Sequence, residues 1–193
     1  MSIYYLGFSN MCRWVFVVCS TILMLAPHAY GKGIYLSEAQ FLDRAFGSQI
    51  HQVQRWWWTD AARTEAEAII QHPIRALRVR YWKAEGANLS PSSGSKTAWI
   101  FDEIGKEKPI TIGVVIDSGR IQSVDILAFR ESRGGEVRYP AFTRQFEGAA
   151  LTEPHRLSVP IDGITGATMS VSAVKRVSAL SLYLHNIVNN SPS

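Results

Sequence analysis

Cysteine is nearly absent: the 193-residue chain has two, Cys12 and Cys19, both within its first 25 positions. No set of residues near them could share a metal. Charge of one sign is also scarce. Twenty Lys and Arg stand against 16 Asp and Glu, and the small excess is spread along the chain without a basic block that could follow a phosphate backbone, so nucleic acid is excluded as a partner. The histidines beyond the first 31 residues, His51, His72, His155 and His185, are far apart, and none has a second ligand at i+3 or i+4. Metal chemistry therefore lacks its usual spacing, and each is expected to be solvated or singly hydrogen-bonded. No Walker loop, Gly-x-Gly-x-x-Gly or Gly-x-Ser-x-Gly is present, which removes the sequence supports of nucleotide hydrolysis and common esterase chemistry. An apolar content of 47% excludes disordered and fibrous classes.

Long hydrophobic runs are limited to residues 14–26, WVFVVCSTILMLA. This run follows Arg13 and leads to Ala29 and Gly31, small residues at −3 and −1 of a cut after Gly31. That is the anatomy of a secretory signal peptide over residues 1–31. A retained anchor needs about 20 apolar residues, more than the run supplies. Val17 and Val18 ahead of Cys19 argue against a lipoprotein signal, and Met11 offers a second start with its own short basic leader. Cleavage leaves a periplasmic or otherwise exported chain without a thiol, hence without disulfides, a cysteine-held cluster or a catalytic cysteine.

In the rest of the chain, Ser37 caps an expected short helix that stops at Gly47, with Ala39, Leu42 and Phe46 on one face. Trp56, Trp57 and Trp58 cannot all point inward, so at least one ring meets solvent, a partner or a membrane surface. A second helix is expected over residues 61–71, ended by Pro73. Leu77, Val79 and Tyr81 then alternate with Arg78, Arg80 and Trp82 as in a half-buried strand. After a Gly, Pro and Ser-rich loop at 84–95, residues 97–102, 110–116 and 120–129 have strand patterns, the last two joined by Asp117-Ser118-Gly119 as a hairpin. Pro140, Phe142, Phe146 and Gly148 mark a short helix. Val171, Val174, Val177, Leu180, Leu184, Ile187 and Val188 form the stripe of a final helix over about 170–188. The sum is an α+β chain: an antiparallel sheet with a packed C-terminal helix, preceded by a small helical region. Its expected divisions are 1–31, 32–95 with the helical region and first strand, and 96–190.

One segment looks over-specified: Asp162-Gly163-Ile164-Thr165-Gly166-Ala167-Thr168-Met169-Ser170. Its glycines permit a close backbone approach, and its hydroxyls gather near a helix N-terminus, where free N–H groups favour an anion such as phosphate. The residues alone fit equally well an ordinary loop with Ser170 as N-cap.

The string Asp162-x-x-Thr165-Gly166-Ala167-Thr168 closely resembles the motif of FMN-binding domain proteins, including the flavin subunits of the sodium-translocating NADH:quinone oxidoreductase and the Rnf complex. The likeness runs over roughly residues 110–188 and leaves the N-terminal third unexplained. In that family a Mg²⁺-dependent flavin transferase esterifies the last threonine with FMN, taking FAD as donor. The resemblance implies covalent FMN on Thr168 and a recognition motif containing Asp162, Gly166 and Ala167, with Gly163, Thr165, Met169 and Ser170 in the same loop. Glu131-Ser132-Arg133 is similar to the loop that lies against the flavin, where relatives usually have Thr-Pro in place of Ser132-Arg133. Glu131 and Arg133 are expected at the ring's polar edge, unless the segment is a solvated turn. The implied function is electron transfer between membrane or periplasmic partners, including a quinol-linked or membrane redox protein, rather than stand-alone catalysis. The runner-up is a periplasmic flavin-binding sensor without redox turnover. A hydrolase using Ser132 or Ser170 lacks a His and carboxylate partner in sequence.

Overall fold

The computed structural model describes residues 33–85 and 95–190. The expected signal peptide, both cysteines and most of the 84–95 loop lie outside them. No helix among the described residues is long and apolar enough to cross a membrane.

Helix α1, Glu38–Phe46, starts in a capping box: Ser37 Oγ accepts the Gln40 N–H, and the Gln40 side chain accepts the Ser37 N–H at 3.0 Å. It ends at Gly47, whose φ of 56° suits a residue without Cβ. Strand β1, His51–Trp57, follows, then α2, Asp60–Ile70, capped by Thr59. Strands β2 (Arg78–Ala84), β3 (Thr97–Ile104), β4 (Pro109–Asp117) and β5 (Arg120–Phe129) complete a five-stranded sheet in the order β1-β2-β3-β4-β5, each pair antiparallel. The β4–β5 hairpin turns on Ser118 and Gly119, both at positive φ, as a two-residue turn demands. A one-turn helix α3, Pro140–Thr143, runs into a 3-10 turn at Arg144–Phe146, and β6 (Leu151–Thr152) with β7 (Arg156–Leu157) forms a small hairpin. The last element is α4, Thr168–Asn190.

Both faces of the sheet are covered. Ile110, Ile112, Val114 and Ile116 of β4 join Tyr81, Trp99 and the apolar side of α4 in the main core, while Val115, Trp82, Ala98 and Leu127 pack under Phe41 and Phe46 of α1 on the other face. Gly113 makes the second contact possible. A Cβ there would fall 2.6 Å from the Phe41 ring and 2.8 Å from Leu127 Cδ1. We expect Gly113→Ala to destabilise the fold by about 1–3 kcal/mol through overpacking, with partial recovery in the Gly113→Ala, Phe41→Leu double variant, read by denaturant melts. A Gly113→Ala protein as stable as the parent would mean that α1 yields without cost.

Several expectations change in this context. β1 forms where the sequence has no strand pattern. It pairs with β2 along its whole length, and the sheet passes through the boundary expected between residues 95 and 96, since β2 also pairs with β3. Leu77 precedes β2 and is 70% exposed, whereas Trp82 is buried because α1 covers its face. Of the three adjacent tryptophans, Trp57 is the exposed ring at 60%, while Trp56 and Trp58 pack against the main core. α4 starts two residues before Ser170, so that serine is not its cap. His185 is buried rather than solvated. Thr97 Oγ1 accepts from Trp99 Nε1 at 2.9 Å and lies 2.7 Å from His185 Nδ1, tying β3 to α4, and burial lowers the imidazole to about 4.

β2 and β3 pair only from Tyr81↔Trp99 to Lys83↔Thr97. Beyond Trp99, β3 keeps its ladder to β4, and before Tyr81, β2 keeps its ladder to β1. The sheet forks there.

Candidate functional site

The β4–β5 hairpin delivers Glu131, Ser132 and Arg133 to the place where α4 begins. A cavity of about 560 Å³ opens between them, lined also by Gly166, Ala167, Thr168, Met169 and Ser170. Gly166, at φ 81°, turns the chain into the helix, and the Ala167 N–H closes that turn on the Ile164 carbonyl at 2.9 Å. The Ala167 carbonyl then accepts the Val171 N–H at 2.9 Å, which makes Ala167 the N-cap. An alanine side chain holds no acceptor, so the cap supplies nothing to the first-turn amides of Thr168, Met169 and Ser170. A helix start of this kind on a cavity wall suits an anion.

Thr168 is exposed and Met169 half-exposed, whereas Ser170 is buried. The burial has a visible cause. Gly134, at φ 85°, lies so close that a Cβ on it would meet Ser170 Oγ at 2.9 Å and Ala167 Cβ at 3.1 Å. Asp162, Gly163 and Thr165 are exposed and stand outside the cavity lining, and the Asp162 N–H donates to Gln145 Oε1 at 2.7 Å.

Glu131 lines the cavity and also fastens a neighbouring turn. Its Oε1 accepts the backbone N–H groups of Lys106, Glu107 and Lys108 at 2.5, 2.6 and 2.9 Å, so the carboxylate holds the β3–β4 turn. Lys106 and Glu107 thereby become part of the cavity wall, a contribution the sequence reading missed. Desolvation would raise the Glu131 carboxyl, but the three N–H donors outweigh it and hold the group below its ordinary value. A depressed carboxyl stabilises the fold above its unfolded pKa, near 4.5, and that stabilisation is lost as pH falls through the lower folded value. Glu131→Ala should therefore speed amide hydrogen exchange at residues 106–108 about tenfold or more at neutral pH, while the β4 amides keep their protection. Unchanged exchange at those three amides would show that the turn stands without the carboxylate.

No curated protein matches the chain. In fold it is similar to the crystal structure of NqrC from Shewanella oneidensis, with a TM-score of 0.54 and 17% sequence identity over 93% of this chain and all of that one. Residues 105–180, from the turn held by Glu131 to the middle of α4, match the family model of the FMN-binding domain. Over that segment, therefore, the chain is similar to FMN-binding domains.

Proposed function

We propose that this is an exported flavoprotein that carries FMN covalently on Thr168 and passes electrons between membrane or periplasmic redox partners. The observation that carries the reading is the exposed Thr168 hydroxyl residue, at the first position of α4 on the wall of the cavity. The residues present fit the group. An uncapped helix start offers N–H donors and the positive end of the dipole to a phosphodiester, Arg133 adds a cation to the same cavity, and Met169 an apolar contact. When bound, FMN supplies the isoalloxazine ring that accepts and releases electrons.

For attachment, the Thr168 oxygen forms a bond to the FMN phosphorus of FAD as the bond to the bridging oxygen breaks. AMP leaves, and the hydroxyl proton passes to a base of the flavin transferase. A threonine hydroxyl is a weak nucleophile at neutral pH, so base and Mg²⁺ come from that enzyme. Asp162, Gly163 and Thr165, exposed just upstream, are available to its recognition surface. Trp57, the exposed ring of β1, is the candidate contact for a redox partner or membrane surface.

The test is coexpression with a flavin transferase and export. The purified protein should begin at Lys32, carry the mass of FMN less one water on the peptide containing Thr168, and be reduced by a membrane fraction far faster than by NADH. A protein that exports and folds but gains no flavin mass would overturn the reading.

A further inference from the structure

The two residues that follow β5, Arg130 and Glu131, carry opposite charges and grip one hairpin from two sides. Arg130 Nη1 donates to the Pro109 carbonyl at 3.2 Å and to Thr111 Oγ1 at 3.0 Å, both in β4, and lies 3.9 Å from Asp102 of β3. Glu131 takes the tip of the same hairpin through the N–H groups of Lys106, Glu107 and Lys108. Bonds of this kind to a carboxylate are charge-assisted and stronger than neutral ones. Gly105 makes room for them, since a Cβ there would fall 3.0 Å from Glu131 Oε1 and 3.3 Å from its Cγ.

Three residues beyond Glu131, Gly134 seats the same loop against Ala167 and Ser170 at the start of α4. Residues 130–134 therefore join two walls of the cavity at Thr168, the turn at Lys106 and Glu107 and the helix start. Thr168 itself is exposed, and its side chain makes no hydrogen bond among the described residues. An ester to such a residue would hold the phosphate end of FMN and leave the orientation of the ring to the walls.

We propose that Arg130 and Glu131 are positioning residues for the flavin: they hold the turn at Lys106 and Glu107 as the wall against which the ring of a tethered FMN rests. This rests on the reading of Thr168 as the attachment site. Glu131 acts through the backbone N–H groups of the turn, and Arg130 through the hairpin behind it. A ring kept in one orientation is what electron transfer to a docked partner requires.

The experiment uses the holoprotein made with a flavin transferase. Visible circular dichroism and iodide quenching of flavin fluorescence are measured per flavin found by mass. Glu131→Ala should raise the quenching constant about threefold or more and flatten the dichroism toward that of free FMN, because the turn opens locally. Glu131→Gln has the same net charge as Glu131→Ala but keeps an acceptor oxygen, so it should recover part of both signals. Arg130→Gln removes a positive charge that would attract iodide, yet it should also raise the quenching. Gly113→Ala, destabilised on the α1 face, should keep both signals of the parent, which separates positioning from general loss of stability. Unchanged quenching in Glu131→Ala and Arg130→Gln, or an equal rise in Gly113→Ala, would overturn the proposal. A parent without flavin mass would overturn the attachment reading and this proposal with it, whereas a flavin-bearing parent with indifferent variants would overturn this proposal alone.

Discussion

Thr168→Val, coexpressed with a flavin transferase and exported, should reach the same yield as the parent and contain no covalent flavin. Valine keeps the branched shape of threonine and removes only the oxygen that would bond phosphorus. Because residue 168 is exposed and sits at the helix's first position, the folded chain loses little, within about 0.5 kcal/mol. Thr168→Ser keeps an oxygen and should keep some flavin. The neighbouring hydroxyls sharpen the test. Ser170 is buried behind Gly134 and is a poor substitute, whereas Thr165 is exposed and is the competitor for attachment. Whatever flavin a Thr165→Val protein carries should therefore still map to Thr168. Peptide mapping that finds FMN on Thr165 or Ser170 in the Thr168→Val protein would remove the assignment.

Arg176→Met should be strongly destabilising although it lies away from the cavity at Thr168. The Glu103 side chain is only 3% exposed, and Arg176, 17% exposed, reaches it from α4 through Nε and Nη2, both on Oε1. His72, at 48%, takes Oε2 at 2.9 Å. Removing the guanidinium leaves a buried carboxylate with one half-exposed partner, and breaking a buried pair in this way costs about 3–5 kcal/mol. Adding Glu103→Gln to Arg176→Met should recover part of that loss. The hydrogen bond to Glu103, opposed by partial burial, holds the His72 imidazole above its ordinary value. Its contribution is therefore complete below pH 6.5 and fades as pH rises through the raised value, a trend that His72→Gln should flatten. A single variant as stable as the parent by denaturant melts would show that Glu103 tolerates burial without Arg176.

Elements with local rules were readable in advance. The hairpin at Asp117-Ser118-Gly119 and the cap at Ser37 rest on residues a few positions apart, and the stripe from Val171 to Leu184 on one helical period, so their physics is local. β1 was hidden because HQVQRWW is an edge strand whose polar and aromatic residues follow no clean alternation of burial. Trp82 falls on the polar side of the alternation in β2, and its cover comes from α1, nearly 40 residues earlier. At the cavity, the loop containing Thr168 announced itself through its glycines and hydroxyls. Lys106 and Glu107 did not, because they join the wall through backbone N–H groups gathered by Glu131, and no side-chain pattern encodes a backbone donor's destination.

Gly134 separates what this loop can vary from what it must keep. A side chain there would be opposed twice, by the positive φ and by Ser170 and Ala167 in the space it would enter. Positions 132 and 133 carry no such constraint: both side chains are exposed. Drift at those two positions can change the polarity of the cavity's edge without altering the distance between loop and helix. The Ser132-Arg133 pair then sets the chemistry of that edge on a frame that Gly134 fixes. A lineage could retune the cavity there one residue at a time, while any replacement of Gly134 would have to be accompanied by a shift of the helix itself.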